Sequence, residues 1–292
     1  MIIKFSVFRD YEKAFVKAND AMMALLVASN LTVDHLSQYS GDEGLLPGLF
    51  EKVPEIERLS RTPDEAAVIL KKSEAYLANM AVVYVLAVHQ EYMDAVVAFL
   101  REYHYEVEGK NPDGEPAAID SENVYKAIEE CCGSSFDADL LEQFIFVRRL
   151  RNRIVHYGGS PGSRLRREAG SMGGANRGLW EVRMGRSLND LLSHDYIELT
   201  AKELMGALSL SRRIAIETQE LVAAKVDRSI WASIAVSEYA EENPKGFKNI
   251  GQRIRRVKGY AREFYGGLNL TDFELNDALE LHVASMNETS ES

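Results

Sequence analysis

Apolar residues recur at spacings of three and four over long stretches of the chain, while strict alternation is scarce, so the pattern predicts helices nearly throughout and an all-α fold. The first amphipathic helix is predicted over 7–30, followed by a loop over 31–49 rich in Asp, Ser, Gly and Pro. A short helix then runs to Leu59, with Pro54 as a kink or break. Thr62-Pro63-Asp64-Glu65 combines an N-cap, a proline at the first helical position and a glutamate three residues after the cap, and opens a helix to about Tyr105. Residues 109–118 read as a loop and 121–132 as a short helix closed by Gly133. Asp137 or Asp139 caps the next helix, which stops at Gly158-Gly159. The segment 158–185, with eight glycines among its arginines, reads as a flexible basic loop holding at most a minor β element at Leu179–Met184, where the alternation is clean. Thr200 and Glu203 form a second capping box. Beyond Asp227 come another helix, a break at Asn243–Gly246, a basic stretch over 247–262, a last capped helix from Thr271 and a tail expected to fray.

Charge changes this picture more than composition does. With 292 residues, 46% of them apolar, the chain is long enough for one large domain or two small ones, each with its own core. The net charge of −11 argues against a nucleic-acid partner only if it is evenly spread, and it is not. Residues 148–186 contain ten Arg, no Lys and two Glu, and residues 245–262 contain seven Lys or Arg and no acid. Two basic patches therefore sit in an otherwise acidic chain. The adjacent Cys131 and Cys132 rarely reach disulfide geometry, which favours a reducing compartment, and the first residues lack the pattern of a secretory signal; the expected location is cytoplasmic. Residues 75–88 are uncharged but fall short of the roughly 20 needed to span a bilayer, so they read as a buried helix and no membrane association is expected.

The phosphate-binding loops of nucleotide enzymes and the H-E-x-x-H of zinc enzymes are absent. His89-Gln90-Glu91 is half of a zinc-deaminase signature, but Cys131-Cys132 has neither the proline nor the spacing of the other half, so the sequence implies no metal site and no cofactor. What remains is Phe146–Gly159, FVRRLRNRIVHYGG. Leu140, Phe144, Val147 and Ile154 make a stripe at helical spacing on which Arg151 falls, so its guanidinium is expected on the packed side, where a charge needs an acidic partner, a polar cleft or a phosphate. His156 lies in the last helical turn, where an imidazole can cap a carbonyl or transfer a proton.

The Arg151-Asn152-Arg153-Ile154-Val155-His156 core resembles the R-x4-6-H motif of the HEPN superfamily of helical ribonucleases, in the R-N-x-x-x-H form of its nuclease members. Arg149 matches at the longer spacing. The resemblance covers about 63–228, flanked by helical extensions over 1–62 and 229–292, the latter partly basic. It implies a HEPN-like helical bundle and metal-independent RNA cleavage by 2′-hydroxyl attack, with Arg151, Asn152 and His156 as catalytic residues. It further implies a homodimer whose two motifs face one cleft, often in toxin, abortive-infection or antiviral settings, where an antitoxin or regulatory protein is an expected further partner. In one toxin branch the regulatory tyrosine stands two positions after the histidine; here Tyr157 follows at once and Gly158 fills that place.

Around this core, Arg148, Arg149, Arg153, Tyr157, Arg164, Arg166 and Arg167 are candidate RNA-binding residues, and both basic segments a candidate steering surface. Glu91 falls on a stripe of Leu77, Met80, Tyr84, Val88 and Ala95 and is expected to turn inward and orient Arg151 or His156. Leu141, Ile145 and Phe146 give the motif helix a second apolar face, the expected seat of the dimer contact. Two other classes stand beside a nuclease: a non-catalytic HEPN-like module that binds RNA or a nucleotide or serves as an adaptor, and a helical scaffold whose arginines bind an acidic protein.

Overall fold

The structure, a computed structural model, describes residues 3–41, 44–53 and 55–290, the last four as backbone only. It is all-α: thirteen α-helices and two short 3-10 turns among the described residues, with one two-residue β-hairpin pairing Gly109–Lys110 with Pro116–Ala117 inside the expected loop. The first helix, α1 (Ser6–Ser37), continues seven residues past the expected end at 30, and α2 (Leu46–Leu49) forms inside the expected loop. Leu36, Leu46 and Ala66 make a small core there that repays the added turns. A 3-10 turn spans Ile56–Arg58; the expected kink at Pro54 lies outside the described residues.

Helix α3 (Pro63–Glu102) starts where the capping box places it: the Glu65 amide donates to Thr62 Oγ1 at 3.4 Å and the Thr62 amide to Glu65 Oε2 at 3.2 Å. By length and composition it could cross a membrane, and 56% of its apolar window is buried inside the protein, as in a core helix. Next come α4 (Val124–Cys132), closed by Gly133 in the left-handed region, and α5 (Ala138–His156). Cys131 and Cys132 are free thiols that burial pushes up, Cys132 to about 12.

The 158–185 segment departs most from expectation. It forms α6 (Gly162–Ser171) and α7 (Gly174–Met184), and the expected strand lies inside α7. Asn176, Trp180 and Met184 are the buried positions of α7, four apart, so the helical period prevails over the alternation in LWEVRM. After α8 (Leu188–Leu191), α9 (Ala201–Lys225) begins at the second capping box, with the Thr200 amide 2.8 Å from Glu203 Oε2. The chain ends in α10 (Arg228–Glu242), α11 (Pro244–Phe247), α12 (Arg253–Phe264) and α13 (Asp272–Ser290), the last continuing through most of the tail expected to fray.

These elements cluster into two units. One comprises Met1–Lys13, Val88–Ala138 and Arg212–Ser292; the other Ala14–Ala87 and Asp139–Ser211. Three boundaries fall inside α1, α3 and α9, long helices that supply residues to both units, and the fourth follows the first residue of α5; none falls at 62/63 or 228/229. In the first unit Trp231, fully buried, meets Phe5 edge-on at 5.4 Å and stacks on Phe99 at 5.5 Å, so residues 3–13 belong to a core and not to an appendage.

Helix α13 of that unit opens with a capping box in which the Thr271 amide donates to Glu274 Oε2 at 2.6 Å. Hydrogen bonds from Arg228, then from the Thr271 amide, hold the Glu274 carboxyl at about 2, below its ordinary 4.5. A lowered carboxyl contributes stability above its unfolded value and loses it as pH falls through the folded one. The acid limb of the unfolding curve between pH 4.5 and 2 should therefore be shallower in Glu274→Gln than in the parent, and superimposable limbs would contradict this account.

Candidate active site

All three motif residues stand on the last two turns of α5, within the second unit. At about 100° per residue, the buried arc of this helix runs through Gln143, Phe144, Phe146, Val147 and Leu150. Arg151 falls at the shoulder of that arc, half-buried, and does not point into the core as its stripe suggested. Its guanidinium turns to the polar side and donates to Asn152 Oδ1 at 3.1 Å. Among the described residues no carboxylate pairs with Arg151, so it is not a helix-to-helix ion pair. His156 is exposed and its imidazole forms no hydrogen bond among the described residues; it caps no carbonyl. That task falls to the backbone, with the Tyr157 and Gly159 amides donating to Arg153 O at 3.1 and 3.0 Å.

The glycine pair is what stops the helix, with φ of +58° at Gly158 and +82° at Gly159. Gly159 also accepts from the Ile197 amide at 2.9 Å, fastening the 193–199 loop to the end of α5. A side chain at Gly159 would find space, its nearest neighbour being 3.7 Å away, so the cost of substitution is conformational. Gly159→Ala should lower unfolding free energy by about 1–2 kcal/mol, read by urea titration; an unchanged midpoint would show that the turn relaxes freely.

Most of the candidate RNA-binding arginines are used within the protein. Arg149 and Arg164 both pair with Glu168, at 3.3 and 3.1 Å, holding α6 to α5. Arg153 donates to the Ser160 carbonyl and lies 3.9 Å over the Tyr157 ring, and Arg166 donates to the Leu192 and His194 carbonyls. Further along, Arg177 serves the Met172 and Gly170 carbonyls, and Arg186 forks onto Glu203, which is only 2% exposed. Guanidiniums carry five donors and find carbonyls at helix ends, so a run of arginines can be scaffold as readily as ligand surface. Arg148 is half-buried with interactions of its own, and Arg167 is exposed without a partner among the described residues. The second basic stretch, 247–262, belongs to the other unit; Lys258 there pairs with Asp272 at 2.8 Å and Arg253 with the Phe247 carbonyl.

Two further expectations are corrected. Glu91 is exposed, because the buried face of α3 runs through Ala78, Val82, Val85, His89, Met93, Val96 and Leu100, and the supposed stripe of Met80 and Tyr84 faces solvent. Of the second apolar face of α5, Phe146 is covered within the unit, 2% exposed with its ring edge-on to Trp180 at 5.2 Å, while Leu141 and Ile145 are half-buried.

The sequence reading missed a cleft beside the motif. About 410 Å³ in volume, it opens where α3, the end of α5 and the 193–199 loop meet in the second unit, lined by Tyr76, Met80, Ile154, Gly158, Tyr196 and Glu198 among others. Its floor is fixed by Asn79, whose amide donates to Ile197 O at 2.9 Å and accepts from the Leu199 amide at 3.1 Å. The one signal was a stretch of α3, 75–88, with more apolar positions than a single buried face uses. Comparison of the chain with protein-family models, with curated proteins and with solved structures finds no match in any of the three.

Proposed function

We propose that the protein is a metal-independent RNA endonuclease, resembling HEPN ribonucleases and acting in a toxin or defence setting. The observation that carries this reading is Arg151: half-buried, turned toward Asn152, without a carboxylate partner among the described residues, five residues from an exposed His156 on the same helix. A guanidinium so placed suits an anionic ligand. In the reaction, His156 takes the proton of a ribose 2′-hydroxyl and the 2′-oxygen bonds to the adjacent phosphorus. The bond from phosphorus to the 5′-oxygen breaks, and that oxygen leaves taking a proton from water. Arg151 stabilises the charge that builds on the phosphorane oxygens, with Asn152 fixing the guanidinium. The products are a 2′,3′-cyclic phosphate and a 5′-hydroxyl.

A homodimer is part of the proposal. Five residues along a helix turn through roughly 140°, so Arg151 and His156 of one copy flank a face and do not converge, and a second motif opposite supplies the remaining groups. The exposed Val155 and Tyr157 on this end of α5 are apolar surface for that contact.

The test is incubation of the purified protein with end-labelled RNA in EDTA, with the product termini analysed. Cyclic phosphate ends and a rate that falls faster than linearly on dilution are expected. Binding without cleavage would make the protein a non-catalytic RNA-binding module, and neither would leave a helical scaffold.

A further inference from the structure

We infer that the cleft beside the motif is a base subsite that takes the guanine of the nucleotide whose 2′-hydroxyl attacks the phosphate held at Arg151. This rests on the nuclease reading for the identity of its ligand. Ile154 lines the cleft and stands three residues from Arg151, about 60° round α5 from it, and Gly158 lines it at the end of the same helix, so a base held there belongs to a nucleotide whose phosphate lies on the Arg151 side of the motif. At Gly158 an added Cβ would meet nothing within 4 Å, so the edge toward His156 is open. Two flat rings flank the cleft and face water, Tyr76 at 73% exposure and Tyr196 at 63%, with Met80 beside them at 71%. Exposed aromatic rings next to a phosphate-binding cation are how single-stranded RNA is held, because every base has a face to stack.

Glu198 selects among the bases. Its carboxylate is exposed at the cleft and pairs with no cation among the described residues, although Arg186 reaches its backbone carbonyl at 2.8 Å. A carboxylate repels a phosphate but accepts from base N–H groups. Guanine alone presents two adjacent donors, N1–H and the 2-amino group, which match the two carboxylate oxygens. Adenine and cytosine set one amino donor beside a ring-nitrogen acceptor, and uracil sets one N–H between two carbonyls, so each brings an acceptor against a carboxylate oxygen.

The test uses the full chain carrying His156→Ala, with 3′-GMP, 3′-AMP, 3′-CMP and 3′-UMP as probes in ligand-observed NMR competition. The 3′-GMP should bind about tenfold or more tightly than the others; Glu198→Gln should erase the preference, and Tyr76→Ala should weaken all four. Equal affinities, no binding, or a preference that survives Glu198→Gln would overturn the subsite. So would a change of sedimentation from dimer to monomer in Tyr76→Ala, which would assign the face to a second copy of the chain. Cleavage mapping with the unsubstituted protein separates the two readings: cutting after any base keeps the nuclease and removes the subsite, while guanine-selective binding without cutting does the reverse.

Discussion

RNA cleavage by the His156→Ala protein should be slower by ~10²- to 10⁴-fold, because the substitution removes the group that takes the 2′-hydroxyl proton and general acid–base catalysis supplies a factor of that size. The His156 imidazole is exposed and bonded to nothing among the described residues, so circular dichroism and the unfolding midpoint should not change. Arg151→Ala should slow cleavage by ~10²- to 10³-fold, the range found when one donor to a developing anion is deleted. Arg151→Lys separates charge from geometry. A lysine keeps the positive charge but not the planar fork that bonds Asn152 at 3.1 Å, so it should recover only part of the loss. Should His156→Ala cut RNA at the parent rate with the same termini, the proposed mechanism is wrong.

The parts of this architecture that could be read from the sequence are local. A capping box closes over four residues, so Thr62 with Glu65 and Thr200 with Glu203 declare the starts of α3 and α9 whatever the rest of the chain does. The stop of α5 is legible for the same reason, since Gly158 and Gly159 both take positive φ. The glycines of 158–185 mislead because half of them do no such thing. Gly158, Gly159, Gly162 and Gly185 stand in the left-handed region, but Gly170, Gly173, Gly174 and Gly178 do not, and the chain passes through or beside helices there. What they cost in helix propensity is offset by burying Leu165, Trp180 and Met184, which no local pattern announces. Glu91 was misplaced because Ala, Val and Tyr occupy several faces of α3, so its period fixes a helix without fixing its phase. The motif residues lie within six positions and could be found together. The cleft joins Tyr76, Ile154 and Tyr196 across 121 positions of chain, and only the fold brings them to one place.

In the other unit, Glu238→Ala should destabilise the protein by about 3–5 kcal/mol, the cost of leaving a buried ion-pair partner uncompensated. Glu238 is 8% exposed and does three things at once. Its Oε1 accepts from the Ser6 amide at 2.8 Å, satisfying a first-turn N–H of α1 with a negative charge at the helix start. Its Oε2 accepts from Arg9 Nη1 at 2.8 Å and from the Tyr260 hydroxyl at 3.2 Å. Burial alone would lower the Arg9 pKa, but the hydrogen bond and charge of Glu238 more than reverse it, and burial followed by Glu238 raises the Tyr260 hydroxyl. Removing the carboxylate orphans the Ser6 amide and takes one of the two carboxylates from Arg9, while the Tyr260 hydroxyl keeps Glu242 Oε1 at 2.9 Å. Arg9 keeps Glu242, whose side chain is 47% exposed, and its stack 4.7 Å over Phe264, which argues for the lower end of the range. The double variant Arg9→Met, Glu238→Leu distinguishes charge from packing: with both ions replaced by apolar groups of similar size, no charge is stranded, and the loss should be smaller than for Glu238→Ala alone. Urea unfolding of the parent, the single and the double variants measures both quantities, and a Glu238→Ala cost below about 1 kcal/mol would show that water reaches Arg9 and that residues 3–13 are held by Phe5 and Phe8 without the ion pair.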